Sequence, residues 1–186
     1  MTTVESTAAT PLAGTLRRLY FTRFGFAVVW AALIAVVAPA GGTLLTVLLI
    51  VYPLVDAAAV LIELRGSATS SRSRISEIAN IAFSVTAAIA LGWASVQSLS
   101  AVLAVWGAWA ILAGAAQLLT GASRRRLGGQ WPLIVSGGVS VLAGSGFLAQ
   151  GLQGGTSVAS VAGYATLGGV LFLVSAIRLA RKARTA

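Results

Sequence analysis

Four acidic side chains, Glu5, Asp56, Glu63 and Glu77, are all that this sequence of 186 residues offers for proton transfer or cation binding, and it has neither histidine nor cysteine. Imidazole and thiolate metal sites, cysteine nucleophiles, serine–histidine triads and a histidine pH sensor are thereby excluded. No paired acid, nucleophile or metal set can be assembled from what remains, so the expectation is a non-enzymatic chain with no cofactor and no metal. The acid that stands out is Asp56, nine positions before Arg65 in an otherwise apolar stretch. A charged aspartate near the middle of a membrane span costs roughly 2.5 to 3.5 kcal/mol, so it must face protein or water and find a partner. Arg23, five residues inside Arg18 in the preceding apolar stretch, lies at a comparable depth. An Arg23 to Asp56 pair is therefore expected. Tyr52, one turn before Asp56, is placed to hydrogen-bond it, and Glu63 falls on the same helix face two turns later. Pro53 frees the carbonyl of Leu49 beside this group. Two uses fit: a proton-sensitive or ion-coordinating site, since protonating Asp56 leaves Arg23 uncompensated, or a clip that fixes helix register.

These residues sit in a chain that is 58% hydrophobic and only 9% charged, where soluble domains carry about 25% charged residues. That composition predicts an all-α integral membrane protein. The net charge of +9 does not point to nucleic acid, because the basic residues fall beside the ends of apolar runs and form no basic face with interleaved aromatics.

Residues 1–14 are small and polar and predict a disordered cytoplasmic tail; 15–182 reads as one membrane domain. Arg17-Arg18 followed by Ala38-Pro39-Ala40 has the look of a cleavable signal, but the apolar run is longer than a signal core and another follows at once, so span 1 is read as retained, about Leu16 to Ala38. The further spans are about Leu44 to Leu64, Ile75 to Val96, Leu103 to Ser123, Trp131 to Gln150 and Val158 to Leu179. Each apolar run approaches or exceeds the ~20 residues a helix needs to cross a bilayer. Every one of the thirteen arginines and lysines lies in the N-terminal region, the 2/3 loop, the 4/5 loop or the C-terminal end. This bias predicts a multi-pass membrane protein with both termini cytoplasmic. Glu77, at the opening of span 3, reads as a local carboxylate cap. Trp93 and Trp131 suit the interface, and Trp30, Trp106 and Trp109 suit packing. The block Arg124, Arg125 and Arg126 sets topology, with contact to anionic lipids as a second use.

The outer links are short and the inner loops basic each time, which predicts three helical hairpins, about 16–65, 75–123 and 130–182, with a period of roughly 57 to 62 residues. Tyr52-Pro53-Leu54-Val55-Asp56-Ala57 aligns with Trp109-Ala110-Ile111-Leu112-Ala113-Gly114 and with Leu171-Phe172-Leu173-Val174-Ser175-Ala176. Arg23, Asn80 and Ser136 open the corresponding segments of the odd spans, so the charges of the first hairpin become Asn80/Ala113 and Ser136/Ser175 in the others. Through YPLVDA, WAILAG and LVSAI, with a basic end after each even span, the chain resembles the HdeD-like acid-resistance membrane proteins. That resemblance covers about Leu16 to Lys182. It implies six helices in the inner membrane and a part in acid or envelope stress tolerance, and it brings no catalytic or ligand-binding residues.

Glycines recur at seven-residue spacing as Gly107, Gly114 and Gly121 and as Gly137, Gly144 and Gly151, with Gly169 in span 6. Seven residues return to nearly the same helix face, and a face without side chains lets helices associate in lipid. The lipid bilayer is the expected partner, and exposed small-residue faces also suit a homo-oligomer. Two functions stay open: a structural, lipid-binding or partner-binding role in stress tolerance, and a small channel or transporter with a path between the hairpins. A continuous polar path favours the second and a dry centre the first.

Overall fold

A computed structural model of the chain describes residues 9–66, 71–125 and 130–182. Among them there are six helices and no strand: α1 (Ala9–Val37), α2 (Gly42–Gly66), α3 (Ser71–Gln97), α4 (Leu99–Ser123), α5 (Trp131–Leu152) and α6 (Ala159–Lys182). Each contains a stretch long and apolar enough to cross a membrane, from 22 to 27 residues. Large apolar side chains such as Val36, Ile75, Ile89 and Leu142 point outward, which hydrocarbon accepts and water does not.

Two boundaries differ from the sequence expectation. α1 begins at Ala9, so residues 9–14 continue the first helix outward from the membrane instead of belonging to a tail; residues 1–8 lie outside the described residues. α3 begins at Ser71, which makes Arg72 and Arg74 part of its first turns and not of a loop. At the opposite end the links are tight. Gly41 and Gly42 take φ of +65° and +79° between α1 and α2, a conformation that favours residues without a Cβ. Ser98 alone separates α3 from α4, its hydroxyl accepting from the Ala101 N–H at 3.0 Å as an N-cap.

The helices close into a ring in chain order, α6 returning to α1, and each packs on its two ring neighbours. The hairpins expected from the sequence are not, however, the tightest units. The most extensive interface is α4 with α5; α1 with α6, α2 with α3 and, of the expected hairpins, α3 with α4 are also close, whereas α1 with α2 and α5 with α6 touch sparsely. Glycine explains the first of these. A Cβ on Gly107 would fall 2.3 Å from the backbone nitrogen of Leu148, one on Gly114 2.8 Å from the carbonyl oxygen of Gly137, and one on Gly144 2.8 Å from that of Gly107. Gly137 and Gly151 meet α4 as closely, while Gly121 meets Ile134. The two glycine rows thus face each other and bring backbone against backbone, the packing available to helices in lipid. A Cβ on Gly169 would fall 3.0 Å from that of Ala27 of α1 in the α1–α6 interface, where the Tyr20 and Phe172 rings also meet at a tilt.

In the half away from the arginines the centre of the ring is packed with hydrocarbon and aromatic rings, while a cleft of about 590 Å³ opens at the rim beside Gly42, Thr46, Ser95 and Ser98. Ile34, Leu49, Leu91, Leu103, Val161 and Ala165 are fully buried in that packing together with Trp30 and Trp106, whose rings stack at 5.4 Å and 13°. The Trp30 indole N–H donates to the carbonyl of Leu48 at 2.7 Å, one residue before the carbonyl that Pro53 leaves without its helical donor.

The glycine seam sets a stability test. Gly107→Ala is expected to lower the melting temperature of the purified protein in nanodiscs by roughly 2 to 12 °C, the range for overpacking a close-packed contact in a chain of this size. Gly138→Ala, where an added Cβ meets nothing within 4 Å, should leave it unchanged or slightly raised. Equal behaviour of the two variants would rule out the seam as the tight interface.

Candidate functional site

Seven residues after Leu16, α1 brings Arg23 into the ring, and α2 brings Asp56 to the same level. Their side chains form an ion pair, 12% and 13% exposed. The Arg23 guanidinium also lies over the Phe172 ring of α6, 4.1 Å from its centroid, so the cation is held between a carboxylate and an aromatic face. The second carboxylate oxygen of Asp56 accepts from Asn80 Nδ2 at 2.8 Å and from the Ser84 hydroxyl at 3.1 Å. Ser84 in turn accepts from the indole N–H of Trp109 at 3.0 Å. One aspartate therefore ties α1, α2 and α3 directly and α4 through a serine. Asn80 and Ser84 are the positions that the repeat alignment sets against Arg23 and Ala27. They were absent from the candidate site because the second hairpin carries no charge at the positions aligned with Arg23 and Asp56, yet the ring turns them onto the first hairpin's aspartate.

Tyr52 does not take the expected place as a hydrogen-bond partner of Asp56. Its ring packs against Phe26, Trp30, Trp106 and Trp109, with centroids 4.5 to 5.9 Å apart. It forms the floor of a cavity of about 50 Å³ that Arg23, Asp56, Ser136, Ser140 and Tyr164 also line. The Tyr164 hydroxyl of α6 donates to the Ser140 hydroxyl of α5 at 2.8 Å, a polar clip across one of the sparse interfaces.

Glu63 belongs to a separate cluster nearer the arginine-rich end. Here two sequence expectations are corrected. Glu77 is not a local cap: it is 2% exposed and forms a buried ion pair with Arg124, while Ser73 donates to the same carboxylate oxygen at 2.9 Å. Arg124 does not face lipid headgroups. The last turn of α4 ends at Thr120-Gly121-Ala122-Ser123, the Arg124 N–H bonds back to the Thr120 carbonyl, and the side chain turns inward to 8% exposure. Its other guanidinium nitrogen lies 3.7 Å from Glu63 of α2. Arg125 is exposed, and Arg126 lies outside the described residues. An arginine in a run of three reads in sequence as topology; only its position at the helix end, pointing back over the preceding turn, aims it at α3.

The site is thus two stacked charge clusters in the arginine-rich half of the ring, Arg23 with Asp56 and Arg124 with Glu77 and Glu63, joined by Asn80. Among the described residues no group of acidic side chains is arranged to hold a metal ion. What the arrangement can do is fix four helices relative to one another and respond to any change in the charge it encloses. Comparison of the chain with protein-family models, curated proteins and solved structures finds no match.

Removing one partner of a buried ion pair leaves the other uncompensated, at a cost of about 3–5 kcal/mol, whereas replacing both with apolar groups is often neutral. Arg23→Met and Asp56→Leu are each expected to destabilise strongly, and the double variant to recover most of the loss; additive losses would exclude a direct pair. In the second cluster Arg124→Gln should destabilise by a similar amount and Arg125→Gln by less than about 0.5 kcal/mol, read from paired melting curves.

Proposed function

We propose that this chain is a non-enzymatic, non-conducting multi-pass protein of the plasma (inner) membrane, with both termini cytoplasmic. Its role is structural, lipid-binding or partner-binding, in tolerance of acid or envelope stress. The observation that carries the non-conducting reading is the composition of the half of the ring away from the arginines. Trp30 and Trp106 stack across its centre among buried Ile34, Leu91, Leu103 and Val161, whereas the buried charges, Glu63, Glu77 and Arg124, all lie in the other half, with Asp56 and Arg23 at its inner limit. An ion crossing that plug would leave every polar ligand behind, and hydrocarbon offers it none.

The side assignment rests on the arginines, which gather at one end of the bundle as the inward-positive bias requires. The stress role rests on the likeness of YPLVDA, WAILAG and LVSAI to HdeD-like chains, with three hairpins in register. The convergence of Asn80 and Ser84 on Asp56 supports that register, since both occupy positions the repeat equates with the first hairpin. Gly25, Gly146 and Gly163, whose Cβ positions meet nothing, support self-association as part of the same role.

Ion and proton flux into liposomes tests this directly. Wild type and Asp56→Asn are both expected to give no flux above empty liposomes at neutral and acidic pH, the variant being only less stable. Flux in wild type that the substitution alters would replace this reading with a channel or transporter whose path passes Asp56.

A further inference from the structure

A second cavity, of about 30 Å³, lies between the two charge clusters and is lined by Arg23, Asp56, Glu63, Glu77, Asn80 and Thr120 among others. Two of these residues hold a buried oxygen that meets no hydrogen-bond donor, Oε2 of Glu77 and Oδ1 of Asn80. Both side chains are nearly inaccessible, at 2% and 5% exposure. They stand three residues apart on α3 and so share a face. The asparagine's orientation is fixed from its other side, because its nitrogen donates to Asp56. The two unpartnered atoms are thus both acceptors, and only an occupant that brings donors or positive charge satisfies them.

The charges point the same way. Arg23 from α1 and Arg124 after α4 oppose Asp56 and Glu63 from α2 and Glu77 from α3. Among the described residues two cations therefore face three carboxylates. From α5 the wall receives only Leu133, and Arg178 and Arg181 of α6 are exposed. A surplus negative charge at this depth is costly unless something matches it. Glu63 is the carboxylate held least firmly, its one ion-pair contact being 3.7 Å long.

We propose that this cavity binds one small monovalent cation, with Glu77 Oε2, Asn80 Oδ1 and the Glu63 carboxylate as its protein ligands. The volume suits one or two water-sized occupants. A single positive charge closes the balance, whereas a divalent ion would overshoot it and would need the converging acidic groups that are absent among the described residues. Bound there, the ion cross-links α2 to α3 and holds the two charge clusters in register.

The test uses the full chain in nanodiscs at constant ionic strength, with Na+ exchanged for choline, which is too large for the cavity. The melting temperature of wild type should rise saturably with Na+, by on the order of 5 °C at about 100 times the dissociation constant. Glu63→Gln removes the surplus charge and leaves the Glu77 to Arg124 pair in place. It should melt at the same temperature in both salts, and no lower than wild type in choline. Direct binding of radioactive Na+ to wild type, displaced by unlabelled Na+ and not by choline, provides a reading independent of the variant's folding, with about one ion per chain expected. Identical melting of wild type in Na+ and choline, stability that follows pH alone, or a Na+ response unchanged in Glu63→Gln would each overturn the proposal; the second of these would assign the balancing charge to a proton.

Discussion

A carboxylate buried among hydrocarbon-length helices has no water to fall back on, and much of this structure follows from how Asp56 is answered. Arg23 meets one of its oxygens, Asn80 and Ser84 the other, so its acceptor capacity is shared between two neighbouring helices, α1 and α3. The ring is loosely packed where α1 meets α2, and it is there that the ion pair bridges. Directional polar contacts thus hold the seam that shape alone does not. The same division holds at α5 and α6, also sparsely packed, where Tyr164 and Ser140 hydrogen-bond and Phe147 meets Tyr164 edge-on at 5.7 Å. Where glycine faces glycine, between α4 and α5, van der Waals contact suffices and few polar groups are spent.

The two halves of the ring are therefore solvents of different kind. Toward the arginines, side chains with charge or hydroxyl groups face inward and leave small cavities between them. Away from the arginines, tryptophan and branched aliphatic side chains close the centre. Trp30 belongs to both regimes, with its ring in the aromatic stack and its N–H on the carbonyl of Leu48, beside the break that Pro53 makes in the backbone ladder.

Much of this was legible in the residues themselves. Hydropathy located all six helices, because a bilayer-length apolar run admits few other readings. The depth of Arg23 and Asp56 below their flanking arginines matched them, and the seven-residue glycine spacing marked the faces of α4 and α5. What the sequence did not disclose is rotation. A helix apolar on every side carries no phase, so nothing in its pattern said which neighbours its polar residues would meet. Asn80 and Ser84 looked like neutral replacements for a charge and proved to be that charge's partners. Glu77 looked like an N-terminal carboxylate in solvent and Arg124 like one of three interchangeable arginines; their pairing depends on the turn after Ser123, which no local rule specifies. The grouping of helices escaped for a related reason. Short links suggest hairpins, but closeness in chain and closeness in space are separate quantities, and the glycine rows decided the second.

That grouping also distributes stiffness. Helices α4 and α5, locked backbone to backbone, resist relative motion as a single plate, because any slide of one past the other drives main-chain atoms into contact. The close α3/α4 and α2/α3 interfaces join α3 and α2 to that plate, and α6 with α1 forms a second. The joints at α1/α2 and α5/α6 are narrow, the first spanned by the Arg23–Asp56 pair and the Trp30 to Leu48 hydrogen bond, the second by Tyr164 and Ser140. A ring built this way deforms by pivoting whole plates about two narrow joints, and lateral pressure from the bilayer is transmitted to the Arg23 and Tyr164 contacts before any helix bends.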